Sequence, residues 1–339
     1  MKPQDTVLLA HGGGGRLTQE LIETIFLPSF SNETLDELGD SARLDSPPPD
    51  HATALTTDSY VVQPLFFPGG DIGRLAVCGT VNDLAMVGAR PKYLTCGMIL
   101  EEGFLLQDLR RIVRSMSEAA SEAGVQLVAG DTKVVPRGGA DKIFINTSGV
   151  GWIPPGRPTG TKLVAPGDSI LLSGTLGDHG TVVMAERENL GFRTDLKSDT
   201  APLNGLVEAL YESGVQIHLM RDPTRGGPAQ ALCEIATAAN LHITIDEAAI
   251  PINPGVKSLA DLLGLDILQI ANEGKLIAFI PEKDGRRALE VCRSHPLGRQ
   301  AELIGRVEDK GNPIVELRTI YGGSRIVEQP MGELLPRIC

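Results

Sequence analysis

The chain has 339 residues, 42% hydrophobic and 22% charged, which can bury a sizeable core and is somewhat long for one domain, so two domains are expected. A formal net charge of -12 offers no general basic face to a nucleic-acid backbone, and no segment approaches the roughly 20 apolar residues of a membrane span. The cysteines Cys78, Cys96, Cys233, Cys292 and Cys339 show no CxxC pairing, which argues against a disulfide framework or zinc site and for a reducing, cytoplasmic compartment.

The opening MKPQDTVLLA carries too short an apolar run for a signal-peptide core. It leads into His11-Gly12-Gly13-Gly14-Gly15-Arg16 and then LTQELIETIF, whose spacing predicts a helix. Consecutive glycines allow positive φ and let backbone N–H groups converge on an anion at that helix start; a plain linker is the competing reading.

Aspartates then recur at or within apolar segments: Asp58 in ALTTDSYVV, Asp83 in GTVNDLAMVGA and Asp131 in VQLVAGDTKVV. Carboxylates so placed suit a hard cation such as Mg²⁺ held against nucleotide phosphates, and they equally suit turns and helix caps. Asp83 falls in an otherwise apolar helical stretch, where an unpaired charge is costly, and Asn82 beside it offers a further oxygen. Strand patterns at 93–100 and 125–128 flank a helical pattern at 105–124, an α/β (α+β) layout.

Prolines and glycines in IPPGRPTGTKLVAPG break the pattern, giving expected domains at 1–155 and 156–320. The second half alternates again through DSILLSG, the helix-like GGPAQALCEIATAAN, HITID and LIAFI. Residues 321–339 are expected to form a flexible tail without an element of their own, long enough to reach a distant site.

Three further motifs lie in this half. Asp222-Pro223-Thr224-Arg225-Gly226-Gly227 joins a strand to a helix and reads either as an anion site or as a helix cap. Glu273, in ANEGK, would be a general base if burial raised its pKa, with Lys133 as proton donor or phosphate contact; a solvated turn and an exposed lysine are the bland alternatives. Finally Pro336-Arg337-Ile338-Cys339 sets a thiol at the chain end, reactive only if a site supplies that reactivity, or else incidental.

Taken in order, HGGGG, TTDSYVVQPLFFPGGDIGRLAVCGTVNDLAMVGARP, EEGF, GDTKVV, FINTSGVG, GDHG, DPTRGG, ANEGKL and the terminal PRIC resemble the hydrogenase maturation factor HypE family. The resemblance implies a two-domain aminoimidazole ribonucleotide synthetase-like fold and an ATP- and Mg²⁺-dependent carbamoyl dehydratase. In this family the carbamoyltransferase HypF loads the terminal thiol, here Cys339. ATP then drives loss of water to an S-cyano group destined for iron on a HypC–HypD complex. By the same resemblance, Gly12, Gly13, Gly14, Gly15, Asn82, Asp83 and Asp131 bind ATP, and Asp58, Asp83 and Asp131 hold the metal. Cys339, Lys133 and Glu273 are the implied catalytic residues.

The resemblance implies a homodimer too, with SYVVQPLFF and KIFINTSGV as edge strands. The chain departs from the family pattern at Pro228 and Cys233. The first is tolerable in an opening helical turn, and the second would remove a polar contact near the site.

Overall fold

The computed structural model describes residues 5–188, 195–330, 332, 337 and 338. After the glycine loop, α1 (Arg16–Leu21) and α2 (Leu27–Phe30) run nearly continuously through a π-helical segment, Ile22–Phe26. Strand β1 (Ala52–Tyr60) and the small hairpin β2 (Phe66–Phe67) and β3 (Gly70–Asp71) precede α3 (Ile72–Met86). Asp71 caps α3, its carboxylate accepting the Gly73 and Arg74 N–H groups at 2.8 and 3.0 Å. Then come β4 (Arg90–Glu101), α4 (Leu106–Ala123), β5 (Gln126–Val135) and β6 (Ile143–Ile153). Helix α4 buries Leu109, Ile112, Val113, Met116, Ala119, Ala120 and Ala123 at helical spacing and stops at Gly124, whose φ of 69° is left-handed.

The first sheet has the order β1-β6-β4-β5, antiparallel except for the β4–β5 pair. KIFINTSGV, expected at an edge, is therefore interior: β6 is paired on both sides, and the edges are β1 and β5. Helices α3 and α4 cover one face, as α3 contacts both β1 and β6. Along β1 the residues facing away from α3 are exposed.

The second half comprises β7 (Asp168–Leu172), α5 (Asp178–Arg187), α6 (Asn204–Glu212), β8 (Leu219–Arg221), α7 (Gly227–Ala239), β9 (Leu241–Asp246), α8 (Pro254–Leu263), β10 (Ile277–Pro281), α9 (Glu282–Ser294), β11 (Glu302–Lys310), β12 (Val315–Arg318) and β13 (Ser324–Ile326). These strands form one mixed sheet, β13-β12-β9-β11-β7-β10-β8. The segment expected to lack structure beyond Gly322 thus contributes β13, which pairs antiparallel with β12, and Val327 beyond it is buried. Backbone pairing holds this strand; its own side chains are exposed, so no apolar pattern marks it.

The chain crosses from one sheet to the other between Ile153 and Asp168. Ala85 and Met86 at the end of α3 pack with α6, α9 and β10 residues in one apolar cluster. Leu196, Val256 and Ala271 join the core under the first sheet, so the two sheets share a packed seam. The site occupies that seam.

Candidate active site

Asp58 lies on β1 on the face that looks at α3, and Asp83 projects from α3 towards it, accepting the Thr56 hydroxyl at 2.8 Å. Asp222 follows β8, and with Asp83, Thr224, Arg225, Gly226 and Gly227 it lines an open groove at the start of α7. Arg225 reaches within 3.9 Å of Asp58. Burial raises the pKa of Asp83, and the charge of Asp58 adds to this against the Thr56 hydrogen bond. Asp222 is pushed up to about 7, by burial first and then by Asp83.

Glu273 sits two residues beyond Ala271, which lines the same groove. Its side chain is buried, and among the described residues Oε1 has no hydrogen-bond partner. Desolvation pushes its pKa well above the carboxylate range, reinforced by Asp222, Asp199 and Asp58 and opposed by Arg225. A carboxyl held this way accepts a proton strongly once ionised. The loop is tight: a Cβ on Gly274 would collide with the Asp199 carbonyl.

The glycine loop, Asp131 and Lys133 converge elsewhere. Together with Thr18, Leu21, Phe26, Phe30, Cys96 and Met98 they line a cavity of about 200 Å³ beside β5. Gly12 touches β5 so closely that a Cβ would strike the Val134 nitrogen, and Gly14 has a φ of 76°. Asp131 and Lys133 pair at 3.0 Å with side chains 69% and 65% exposed.

The structure does not bring Asp131 to Asp58 and Asp83 within one chain. Asp58 aligns with Thr147, Cys96 and Gly130 across the sheet, so Asp131, the residue after Gly130, points to the opposite face. The two strands are also about 14 Å apart, at roughly 4.8 Å per strand spacing. Among the described residues no group of three or more His, Cys, Asp or Glu side chains forms a metal cluster. By the same geometry Lys133, on the β5 edge and the outer face, does not approach Glu273.

Asn82 requires a correction. Its amide is committed internally: Nδ2 donates to the carbonyls of Ala201 and Glu273 at 3.1 and 3.2 Å, and Oδ1 accepts the Leu203 N–H at 2.7 Å. It is buried and ties α3 to the Glu273 loop, where a nucleotide contact was expected. Cys233 is another correction, because its thiol faces the Val327 carbonyl at 3.3 Å, away from the groove.

Sequence reasoning missed Asp199 and Lys275. Their side chains, 3% and 10% exposed, pair at 3.0 Å beneath Glu273. Burial alone would raise the pKa of Asp199, but Lys275, His179 and the Glu273 N–H together outweigh it and the carboxyl is held low.

Two family models match the chain: AIR synthase related protein, N-terminal domain, over residues 39–153, and AIR synthase related protein, C-terminal domain, over residues 165–318. The carbamoyl dehydratase HypE of Azotobacter vinelandii is 50% identical over 334 residues, covering 98% of this chain and 97% of that protein. A crystal structure of HypE in complex with ATP superposes with a TM-score of 0.94 at 49% identity, covering 98% of this chain and all of that one. HypE in a HypE–HypF complex gives a TM-score of 0.80 at 50% identity, covering 93% of this chain and 100% of that one.

The chain belongs to the HypE carbamoyl dehydratase family.

In a HypE-family chain the C-terminus acquires particular weight. Cys339 lies outside the described residues, but Arg337 and Ile338 are docked. Ile338 is buried and lines the groove with Asp83 and Asp222, and its carbonyl accepts from His179 Nε2 at 2.8 Å. The Arg337 carbonyl accepts from the Gln63 N–H at 3.2 Å and from Arg187 at 2.6 Å, while its guanidinium meets Asp141. Arg337 and Ile338 of this HypE-like chain are therefore held at the seam, where a flexible tail was expected.

Proposed function

We propose that this chain uses ATP to dehydrate an S-carbamoyl group on its own Cys339 to an S-cyano group, supplying cyanide for the iron centre of nickel–iron hydrogenase. The observation that carries this reading is Glu273: a buried carboxyl of raised pKa, with one oxygen unpartnered among the described residues, beside the groove in which Ile338 packs. One peptide bond, about 3.8 Å between Cα atoms, separates Ile338 from Cys339.

The chemistry divides into two steps. The thiocarbamate oxygen attacks the γ-phosphorus of ATP, ADP leaves, and the nitrogen gives up its first proton. Phosphate then departs with the carbon–oxygen bond while the second proton passes from nitrogen to the Glu273 carboxylate, leaving a carbon–nitrogen triple bond. Oxygen and two protons are lost, the equivalent of one water. Phosphorylation is needed because an amide oxygen is otherwise a poor leaving group.

Asp58 and Asp83 face each other, and burial first and then the charge of Asp58 oppose ionisation of Asp83, a pair of oxygen donors suited to a hard cation. Asp58 and Asp83 would hold Mg²⁺. When bound it would neutralise charge on the transferring phosphoryl group.

A homodimer accounts for the separation of Asp131 and Lys133 from these carboxylates. The face carrying them also exposes Leu55 (74%) and Ile99 (42%). Pairing that face with a second copy would bury both side chains and offer one protomer's glycine loop, Asp131 and Lys133 to the other's groove. In this scheme HypF loads the thiol, and a HypC–HypD complex receives the cyano group. We place the protein in the cytoplasm; no described helix is long and apolar enough to cross a membrane.

The test is intact mass and C-terminal peptide mapping after incubation with HypF, carbamoyl phosphate and Mg·ATP. Carbamoyl addition at Cys339 followed by loss of one water is expected. An unmodified Cys339 with demonstrably active HypF would refute the reading.

A further inference from the structure

The last described carbonyl meets an unusual partner. His179, at the start of α5, is fully buried and packs edge-on against Phe67, with ring centroids 5.4 Å apart. Its Nε2 faces the Ile338 carbonyl at 2.8 Å and its Nδ1 faces Ser198 Oγ at 2.8 Å. A carbonyl can only accept, so Nε2 carries the hydrogen. Burial lowers the imidazole pKa and keeps the ring neutral, so Nδ1 must accept, from the Ser198 hydroxyl. With its hydrogen given to Nδ1, Ser198 Oγ accepts from Thr200 twice, from the N–H at 3.1 Å and from the hydroxyl at 2.7 Å.

The residue between those two continues the network. Asp199 accepts the Glu273 N–H at 3.1 Å through Oδ1 and the Lys275 ammonium at 3.0 Å through Oδ2. The Ile338 carbonyl and the Glu273 backbone are thus held by adjacent residues, Ser198 (through His179) and Asp199. Chain ends ordinarily fray, and a buried imidazole N–H left without its carbonyl would be costly. We infer that His179, oriented by Ser198, is a positioning residue for the terminal thiol: it grips the Ile338 carbonyl so that Cys339 is presented in register with Glu273.

This inference rests on the reading that Cys339 is the reacting group, and its test has one arm independent of that reading. The first arm measures the rate at which iodoacetamide alkylates Cys339 in the full-length protein, without ATP or partner, resolved from the other cysteines by peptide mass. The second measures the single-turnover loss of water from the carbamoylated protein, together with ATP affinity. In His179→Leu, Cys339 alkylation should rise and dehydration should slow, each by roughly five- to tenfold, the worth of one hydrogen bond, with ATP affinity unchanged. His179→Gln, whose amide nitrogen reaches a similar position, should bring both rates back towards those of the unsubstituted chain.

A folded His179→Leu with unaltered alkylation and dehydration would overturn the inference. So would a His179→Gln no better than the leucine variant, because a filler of space needs no donor. If His179→Leu fails to fold, Ser198→Ala keeps the ring but frees its orientation, and roughly two- to threefold effects in the same directions are expected; unchanged rates there refute the inference equally. If the unsubstituted chain loses no water, the dehydratase reading fails while the alkylation arm still decides the grip.

Discussion

Lys275 Nζ and Asp199 Oδ2 stand 3.0 Å apart in the seam between the two sheets, and the other oxygen of that carboxylate fixes the Glu273 backbone. The pair is buried, so removing one partner strands a charge away from water.

Lys275→Met is accordingly expected to lower the unfolding free energy by about 3–5 kcal/mol, the usual cost of breaking a buried ion pair from one side. Urea denaturation measures this directly. A midpoint equal to that of the unsubstituted chain would mean that water already reaches Asp199.

The pH dependence of Glu273 follows from its raised pKa. At low pH both the folded and the unfolded chain carry a neutral carboxyl. As pH rises past 4.5, the ordinary value for glutamate, the unfolded chain ionises while the folded one resists, so stability is lost on the way up to the folded pKa. Glu273→Gln removes this penalty: its melting temperature relative to the unsubstituted protein should be higher at pH 8 than at pH 5. It should also abolish cyanation. Parallel stability curves for the two proteins would show that Glu273 ionises freely.

The outer face of the first sheet gives a third expectation. Leu55→Glu, at a side chain 74% exposed in the single chain, should yield monomers by light scattering and at least a tenfold loss of ATP-dependent dehydration, with stability little changed. A dimer that survives the substitution would place the interface elsewhere.

Local periodicity made much of the fold legible. The 105–124 pattern became α4, ending at the glycine where the apolar spacing stops. Pairing was less accessible, because an apolar alternation reads alike whether a strand has one neighbour or two, and β6 was accordingly misplaced at an edge. Strand β13 carries no apolar alternation, since its exposed side chains are Ser324, Arg325 and Ile326 and it is held by backbone pairing and the Arg325–Asp266 ion pair. Adjacency misled at Asn82: one step along a helix turns a side chain by about 100°, so Asp83 faces the groove while Asn82 faces inward. Asp199 lies in the short run KSDTAP, which has no strand or helix period to mark it, and its role arises from contacts more than seventy residues distant in the chain. His179 did have a signal, a histidine beside glycine and aspartate where a helix starts, but nothing local named the carbonyl it would meet.

The inward amide of Asn82 has a mechanical consequence. One buried side chain fastens the helix bearing Asp83 to the Glu273 loop and to the stretch at Ala201 and Leu203. Widening the seam by swinging α3 would break all three attachments together, so Asp83 and Glu273 ride on a single stiff body. The bonds of Arg337 and Ile338 run instead to His179, Gln63, Arg187 and Asp141, none of which is an attachment of Asn82, so the chain end can leave the seam without loosening that body.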